Sequence, residues 1–216
     1  VATELMRDQV IQNGLSPEKV FCTGIPINPV FSEETRTKAA LRVYFGLDPE
    51  KTTVLAIGSK RVSNLMENLT VMNHSGFDLQ LIMAAGGDEK LYQTMQSTQW
   101  NIPVKIVNFT QELPEMMLAS DFVVTKAGGL VTSEALAAGL PMILIDVLPG
   151  QEEGNASFVQ NNGAGIVISD PIKLIETISL WLRNNKAGLK LAAENARRIG
   201  RPDSSSHIVK IIQSLL

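Results

Sequence analysis

The sequence is poor in the residue types that build disulfide frameworks and metal sites. It contains one cysteine, Cys22, and two histidines, His74 and His207, which lie far apart in the chain. A single cysteine cannot form an internal disulfide, and the histidine spacing is unlike that of metal ligands. The sequence also lacks an Asp-x-Asp pair for a nucleotide-bound divalent ion and a Gly-x-Ser-x-Gly nucleophile turn. We therefore predict neither a metal site nor a cofactor.

A surplus of positive charge and long apolar runs are missing as well. Lysine and arginine number 19 against 22 acidic residues, so the formal net charge is −3. Nucleic-acid binding, which needs a basic surface, is therefore not expected. The apolar runs, such as residues 140–145, fall far short of the ~20 residues that span a bilayer. With 216 residues, of which 44% are hydrophobic, the chain is expected to fold as one large or two small globular domains.

What the sequence does contain is a regular alternation of short apolar runs and amphipathic stretches. The apolar runs are rich in Val, Ile and Leu without polar alternation, which is typical of strands buried on both faces. Such strands, separated by helices, predict a Rossmann-like α/β fold: a doubly wound parallel sheet of about six strands. The predicted strands are residues 53–57, 79–84, 103–107, 122–124, 142–145 and 165–168. The predicted helices are 62–73, 89–97, 113–119, 131–138 and 153–162, followed by a helical tail, 171–216, interrupted near 184–187 and 200–203.

The first thirty residues have a different character. Residues 3–13 predict a short helix and residues 20–23 a strand, and both precede the proline-stiffened stretch 24–29. The chain opens at Val1 rather than Met and shows no secretory signal, so we expect it to be part of something longer. The predicted division is 1–24 for the end of a preceding domain, 25–31 for the link and 32–216 for the main domain. The alternative is that the first stretch is an ordinary α–β unit of a single domain.

Ligands of open parallel sheets bind beyond the carboxyl ends of the strands, where loops lead into helices. After the first main strand, Gly58 and Ser59, with two cations behind them, could hold a pyrophosphate through N–H groups and charge. A solvated turn is the alternative there. Residues 85–88, after the next strand, are expected to form a structural turn in which Asp88 caps the following helix.

Two further loops suit a nucleoside. Residues 108–110 place Phe109 at a strand exit, where its ring could support a flat base; the alternative is that Phe109 belongs to the core. In residues 125–134, two glycines lead into a helix start that offers bare N–H donors to an anion. Glu134, about one turn into that helix, could accept two hydrogen bonds from ribose hydroxyls, or it could merely complement the helix dipole.

The loop 149–155 gives the strongest local indication of sugar recognition. Gln151, Glu152, Glu153 and Asn155 crowd one strand exit and together supply donors and acceptors for a polyhydroxylated ligand. The alternative, a capped helix start, would need one such residue rather than four.

In this order, the loops resemble those of a known family. Lys126–Leu144 (KAGGLVTSEALAAGLPMIL), Pro149–Asn155 (PGQEEGN) and Asn162–Gly165 (NGAG) resemble the monogalactosyldiacylglycerol synthases and the processive diacylglycerol glucosyltransferases. The resemblance covers essentially the whole chain, including Gly24–Ile27 (GIPI), and extends more distantly to the N-acetylglucosaminyltransferase that completes lipid II. The PGQEEGN segment is specific to the glycolipid synthases, whereas the GG, SE and GLP elements are shared more widely.

The resemblance implies the carboxyl-terminal, donor-binding half of a family-28-like glycosyltransferase with the GT-B fold. Residues 1–24 would then be the remnant of the acceptor-binding domain. The loop at Gly58 and Ser59 has one glycine where the family has a glycine-rich loop, so a side chain at Lys60 or Arg61 would either narrow the phosphate path or supply charge in place of amides. The implied UDP contacts are Phe109 and Thr110 to the uracil, Glu134 to the ribose, and Gly128, Gly129, Leu130 and Val131 near the diphosphate. The implied contacts to the hexose are Gln151, Glu152 and Asn155.

The function implied by the resemblance is inverting transfer of galactose or glucose from UDP to diacylglycerol in glycolipid synthesis. The catalytic base and the lipid site would lie on the preceding domain, so this chain alone would bind the donor without turning it over. We expect a cytoplasmic location, with peripheral association at the cytoplasmic face of a membrane through that domain. The alternatives are a glycosyltransferase acting on a polyprenyl-linked acceptor, a UDP-sugar epimerase on the same fold, and a non-enzymatic nucleotide-sensing module.

Overall fold

The computed structural model describes residues 1–62 and 64–216, and its centre is a six-stranded parallel sheet. The strand order is β3-β2-β1-β4-β5-β6, and every neighbouring pair is parallel. All six predicted strands are confirmed, each to within one residue at either end. The strands are β1 (Thr52–Ile57), β2 (Leu79–Ala84), β3 (Val104–Val107), β4 (Phe122–Thr125), β5 (Met142–Leu144) and β6 (Gly165–Val167).

Ten helices surround the sheet in the described part of the chain. They are α1 (Glu4–Gln12), α2 (Val30–Glu33), α3 (Lys38–Tyr44), α4 (Leu65–Asn73), α5 (Glu89–Ser97), α6 (Leu113–Ala119), α7 (Gly129–Ala137), α8 (Glu153–Asn161), α9 (Pro171–Ile199) and α10 (Ser204–Ser214). The break predicted near 184–187 is present in α9, where residues 183–186 leave helical geometry. The helix predicted from residue 62 begins at Leu65, and Ser63 lies outside the described residues.

Both faces of the sheet are covered, which explains why the strands lack polar alternation. All six residues of β1 are buried. Two successive residues of this strand, Val54 and Leu55, belong to the two hydrophobic cores on opposite faces of the sheet. Because successive side chains of a strand point to opposite faces, a strand between two layers must be apolar at every position. The core around Leu55 contains residues of α2, α3, α6, α7 and α8. The core around Val54 contains residues of α4, α5 and α9.

The strand order creates the place where a ligand would bind. The chain proceeds outward from β1 through β2 to β3, then returns to place β4 on the other side of β1. Loops that leave neighbouring strands in opposite directions open a crevice at the carboxyl edge of a doubly wound sheet. The loops after β1 and β4 therefore flank the expected site.

The strand predicted at residues 20–23 is wrong. These residues are extended but outside the sheet, and the amides of Thr23 and Gly24 both donate to the carbonyl of Val1. An extended segment becomes a strand only when a neighbouring strand shares its backbone hydrogen bonds. Here the segment bonds to Val1, whose ammonium also donates to the Phe21 carbonyl at 2.8 Å, and to the side chain of Arg7, and neither residue belongs to a strand.

The predicted link, residues 25–31, is packed rather than loose. Ile27 and Phe31 are buried in the core around Leu55, and the hydroxyl of Ser205 in α10 donates to the Ile27 carbonyl at 2.5 Å. The sequence did not predict α2, which begins within this stretch at Val30, or α3, which follows it. Residues 25–31 therefore pack against the main domain through two contacts, the core around Leu55 and the last helix, α10.

Candidate functional site

The start of α7 presents bare N–H groups at the carboxyl edge of the sheet. Gly128 is the N-cap and makes no side-chain cap, and the first bonded amide is that of Thr132, which donates to the Gly128 carbonyl at 2.9 Å. The amides of Gly129, Leu130 and Val131 therefore have no acceptor within the helix. Such donors, with the partial positive charge of a helix start, suit an anion. The geometry matches the predicted diphosphate position, which stays a prediction.

Glu134 lies on α7, about one turn beyond those amides. Its side chain is half-buried, and among the described residues no hydrogen bond reaches its carboxylate. Burial raises the pKa of Glu134 above its usual value, since a partly desolvated carboxyl group disfavours the charged form. An acceptor that lacks a protein partner is what the predicted ribose contact requires.

Phe109 is exposed after β3, so the alternative that it belongs to the core is wrong. Its side chain is 76% exposed. The loop around it is fixed on both sides: Asn108 donates to a Glu89 carboxylate oxygen at 2.7 Å, and the Thr110 hydroxyl accepts from the Glu112 amide at 3.0 Å. An apolar ring held open to solvent on a tied loop is suited to stack on a planar base.

The starts of α6 and α7 lie on one side of the sheet. Leu113 at the start of α6 and Val131 at the start of α7 pack against the same core. The loop that carries Phe109 leads into α6, and Glu134 lies in α7. The predicted base and ribose contacts are therefore on neighbouring elements at one edge of the sheet.

The loop predicted to bind the hexose is bonded to the loop before α7. Glu152 is buried, and its carboxylate accepts from the Lys126 ammonium at 2.6 Å. Asn155 donates to the Ala127 carbonyl at 2.9 Å. Gln151 is exposed beside them. The structure thus joins the predicted diphosphate and hexose loops, and it leaves Gln151 as the predicted sugar contact without an internal partner in the described chain.

The loop after β1 contributes less than the other loops. The Gly58 amide donates to the Ala84 carbonyl at 2.8 Å, so it continues the sheet and is not available to a phosphate. The Ser59 hydroxyl accepts from the Arg61 amide at 3.3 Å and closes a local turn. A phosphate contact from this loop would fall to the exposed cations Lys60 and Arg61.

The turn at residues 85–88 is structural, as predicted. Asp88 caps α5 by accepting from the Leu91 amide at 3.1 Å. Gly86 has φ +65°, and a Cβ atom added there would lie 2.3 Å from the Gly58 carbonyl oxygen. Only glycine allows this close approach, which stacks the turn on the loop after β1.

Two residues at this edge escaped prediction from sequence. Lys126 lies just before the two glycines, and its ammonium is the partner that the buried Glu152 carboxylate requires. Asp146 follows β5 with φ +49°, and its carboxylate accepts from the amide of Asn64 at 2.9 Å and from its side chain at 2.5 Å. This pair ties the loop after β5 to the start of α4. A non-glycine residue with positive φ at a strand exit leaves no sequence signal.

Metal and membrane features were searched in residues 1–62 and 64–216. No group of three His, Cys, Asp or Glu side chains there is arranged to hold a metal ion. No helix in the same residues combines the length and apolar character needed to cross a bilayer.

Comparison with known proteins identifies the fold and the relatives of the chain. Residues 56–208 match the family model described as the glycosyltransferase family 28 C-terminal domain. The chain is 34% identical to monogalactosyldiacylglycerol synthase 3 of Arabidopsis thaliana and 33% identical to the probable monogalactosyldiacylglycerol synthase 2 of Oryza sativa subsp. indica. Both alignments cover 96% of this chain and 46% of the relative, so the chain spans about half the length of these relatives.

A solved structure confirms the fold class. HepE of Anabaena, solved in complex with UDP-glucose, aligns over 99% of this chain and 63% of its own, with a TM-score of 0.61 and 16% sequence identity. At that identity the likeness concerns the fold alone, and it agrees with the predicted Rossmann-like half of a GT-B glycosyltransferase.

The predicted cytoplasmic location is wrong. The monogalactosyldiacylglycerol synthases that match this chain in Arabidopsis thaliana, rice and spinach are chloroplastic. Location is set by targeting segments rather than by the residues that fold a domain, so the site residues carried no information about the compartment.

A family model that covers most of the sheet, relatives that match nearly the whole chain and the GT-B fold lead to one conclusion: the chain belongs to the glycosyltransferase family 28 C-terminal domain family.

Proposed function

We propose that this chain binds a UDP-hexose for inverting transfer to diacylglycerol, as the donor half of a monogalactosyldiacylglycerol synthase-type enzyme. The observation that carries the proposal is that three features suited to these contacts lie on loops and helix starts at one edge of the sheet. These are the bare amides at the start of α7, the carboxylate of Glu134, to which none of the described residues donates, and the loop of Gln151, which is bonded to the residues just before α7.

Each part of the donor has a matching group. Phe109 would stack on the uracil while the Thr110 backbone meets its edge, and Glu134 would accept from the ribose hydroxyls. The amides of residues 129–131 would face the diphosphate, on which negative charge grows as the glycosidic bond breaks. Donors aimed at developing charge stabilise the transition state more than the ground state.

The reaction we propose is a single displacement. The acceptor hydroxyl oxygen forms a bond to the anomeric carbon, while the bond between that carbon and the diphosphate oxygen breaks and its electron pair leaves with UDP. The hydroxyl proton passes to a general base, which we place on the acceptor-binding domain. Attack from the face opposite the leaving group inverts the configuration. The UDP-sugar is a substrate in this scheme, and we include no cofactor.

The relatives support the proposed acceptor and domain arrangement. Proteins named monogalactosyldiacylglycerol synthases match 96% of this chain but are about twice its length. We propose that residues 1–24 belong to the preceding, acceptor-binding domain, that 25–31 connect the two domains, and that 32–216 hold the donor. Peripheral membrane association would then come through the preceding domain, and the chain alone would bind donor without transferring sugar.

Calorimetry with UDP-galactose and UDP-glucose tests the proposal. We expect saturable binding of at least one donor to the 216-residue chain, with no hydrolysis or transfer. Because the site is proposed to recognise both uridine and diphosphate, ADP-glucose should bind more weakly than the matching UDP-sugar. Equal binding of both nucleotides, or no saturation at millimolar concentrations, would contradict a UDP site.

A further inference from the structure

The chain leaves β5 through a residue in the left-handed conformation. Asp146, two residues beyond the end of β5, has φ +49°. Residues other than glycine rarely adopt this conformation, because their Cβ atom crowds the backbone, although aspartate tolerates it better than most. Asp146 also stands just ahead of the loop that carries the predicted hexose contact, Gln151. Uncommon backbone conformations concentrate at functional sites, where the surrounding structure holds them.

The left-handed residue reverses the alternation of side chains along β5. Successive side chains of this strand belong in turn to the core around Leu55 and to the core around Val54, and the alternation runs through Ile145. If it continued, Asp146 would face the first core and Val147 the second. Instead, Val147 packs against the core around Leu55. Because α7 and α8 belong to that core, the reversal sends the chain to the face where the proposed donor contacts lie.

The side chain of Asp146 points to the other face, where Asn64 holds it. One carboxylate oxygen accepts from the Asn64 amide at 2.9 Å, and the other accepts from the Asn64 side chain at 2.5 Å. Asn64 is the N-cap of α4, which packs in the core around Val54. Two hydrogen bonds from one residue fix the direction of the carboxylate. They thereby hold Asp146 in a conformation that its backbone does not favour.

The residues that follow form a closed turn with Gln151 exposed on it. The Glu152 amide donates to the Leu148 carbonyl at 3.0 Å, and the Leu148 amide donates to the Glu152 carboxylate at 3.3 Å. The turn is anchored at its far end, where the same carboxylate accepts from the Lys126 ammonium at 2.6 Å. With the far end fixed, the direction in which the chain enters at Asp146 decides where Gln151 lies.

We propose that Asp146 is a positioning residue for the sugar of the donor: Asn64 holds its left-handed turn, and the turn places Gln151 beside the start of α7. The proposal rests on the proposed function and adds to it a residue that acts through Gln151 rather than by touching the donor. The contacts proposed for uracil, ribose and diphosphate lie on other loops. The Asp146–Asn64 pair should therefore control the affinity for the hexose and not the affinity for UDP.

The test compares UDP-glucose and UDP-galactose with UDP, which lacks the hexose, by calorimetry on the 216-residue chain. The measured quantity is the ratio of the Kd for each UDP-hexose to the Kd for UDP, at about pH 8, well above the phosphate pKa of ~6. Asp146→Ala removes both acceptors of Asn64 and disfavours positive φ. We expect it to raise the ratio about threefold to tenfold, as for one lost hydrogen bond to the sugar, and to change the Kd for UDP less than about twofold.

Asn184→Ala is the matched control, because Asn184 has the same φ, +49°. It lies in the break of α9, shortly after Trp181, whose ring packs on Phe122 at the start of β4 and thus at the opposite edge of the sheet. Both variants replace a residue that tolerates positive φ, so both should lower the free energy of unfolding. Only Asp146→Ala should change the ratio of Kd values, which separates positioning from general destabilisation.

A double-variant cycle tests whether Asp146 acts through Gln151. Gln151→Ala should raise the ratio by a similar factor, because it removes the proposed sugar contact itself. Asp146→Ala/Gln151→Ala should then raise the ratio no further, since both changes remove the same contact. Independent effects that multiply in the double variant, or an unchanged ratio in Gln151→Ala, would overturn the proposed route.

Two milder variants keep the proposal open to contradiction if Asp146→Ala does not fold. Asp146→Asn keeps a side chain that tolerates positive φ and offers an acceptor to Asn64, so it should preserve most of the original ratio. Asn64→Ala removes one of the two bonds and should raise the ratio about twofold to threefold. An unchanged ratio in Asn64→Ala, or a rise in Asp146→Asn as large as in Asp146→Ala, would contradict the role of the held turn.

The UDP titration separates this inference from the proposed function. If UDP and a UDP-hexose bind and Asp146→Ala leaves their ratio unchanged, the positioning role is wrong while the donor site stands. If neither UDP nor a UDP-hexose binds to the unaltered chain, both proposals fail together.

Discussion

Lys126 and Glu152 form a 2.6 Å ion pair that connects the exit of β4 to the start of α8. The Glu152 carboxylate is almost completely buried, whereas the Lys126 side chain keeps 22% of its surface exposed. The second carboxylate oxygen of Glu152 accepts from the Leu148 amide at 3.3 Å. A buried carboxylate needs such partners, because an isolated buried charge is strongly unfavourable. The pair therefore fixes the predicted sugar loop against the predicted phosphate loop.

Removing the cation alone should destabilise the chain. We expect Lys126→Met to lower the free energy of unfolding by about 3–5 kcal/mol, since it leaves Glu152 buried and unpaired. The double variant Lys126→Met/Glu152→Gln should recover part of the loss, as measured by urea denaturation. Lys173→Met is the matched control: its ion pair with Glu176 is exposed, and the loss there should stay below about 1 kcal/mol. Equal losses in the single and double variants would argue against a buried charge.

Glu134 is predicted to control affinity for the ribose. Glu134→Gln preserves the size of the side chain but replaces a charged acceptor with a neutral one. The expected loss of UDP-glucose affinity is about 1.5–3 kcal/mol, or roughly tenfold to a hundredfold in Kd by calorimetry. Glu194→Gln, an exposed site on α9, should leave the affinity unchanged. An unaltered Kd in Glu134→Gln would remove Glu134 from the binding site.

The raised pKa of Glu134 predicts a pH dependence of donor binding. Burial favours the neutral form in the free chain, whereas ribose hydroxyls that donate to the carboxylate favour the charged form. Affinity should therefore be full above the raised pKa and should fall as pH decreases through it, with the fall beginning above the usual Glu range. UDP-glucose is the correct probe, because the terminal phosphate of UDP titrates itself near pH ~6. A pH profile unchanged in Glu134→Gln would contradict this assignment.

The raised pKa of Glu134 has the opposite effect on stability: its contribution to the free energy of unfolding increases as pH falls, whereas donor affinity decreases. Because the folded-state pKa of Glu134 is raised, the unliganded chain binds this proton more tightly than the unfolded chain does. The resulting contribution is therefore unfavourable at neutral pH and is relieved as pH falls through the folded pKa. Glu134→Gln should raise the free energy of unfolding at pH 7 while it weakens donor binding.

The exposed ring of Phe109 is predicted to contribute to binding but not to stability. Phe109→Ala should weaken UDP binding by about 1–3 kcal/mol, the range measured for stacking of a base on an aromatic side chain. The free energy of unfolding should change little, because the ring is already 76% exposed. Ile172→Ala, at a 73% exposed side chain on α9, controls for loss of exposed apolar surface. A large loss of stability in Phe109→Ala would point to a packing role instead.

The two glycines of the turn after β2 provide a matched pair. Gly86 and Gly87 both have positive φ, +65° and +81°, but an added Cβ meets the Gly58 carbonyl only at Gly86. Gly87→Ala should cost about 1–2 kcal/mol from backbone strain alone. Gly86→Ala should lower the free energy of unfolding by roughly a further 1–3 kcal/mol, because the backbone at Gly58 must move to make room for the added Cβ. Similar urea midpoints for the two variants would show that the close approach is easily relieved.

The sequence predicted the sheet well because the signal was strong there. Strands buried on both faces are continuously apolar, and each is followed by a helix, so their boundaries were clear to within one residue. The short helices at residues 30–33 and 38–44 were missed because they begin next to a proline-rich stretch that suggests a loose connection. Burial of Ile27 and Phe31, which depends on distant parts of the chain, decides that region.

The site was predicted as a set of loops rather than as a set of contacts. Loop positions follow from the sheet, but the partners of individual side chains depend on packing between distant segments. The sequence therefore could not reveal that Glu152 pairs with Lys126 or that the Gly58 amide completes the sheet. It also could not decide whether Phe109 is core or surface, which the exposed loop after β3 settles.

The two outermost strands, β3 and β6, have four and three residues. Short edge strands expose few unpaired backbone groups. The edge strand β3 also carries Lys105, whose ammonium lies 5.7 Å from the centroid of the Phe45 ring. Short edge strands, and a lysine on one of them, discourage strand pairing between molecules. Any assembly of this chain should therefore use its helical surfaces, and the sheet should not extend from one copy to the next.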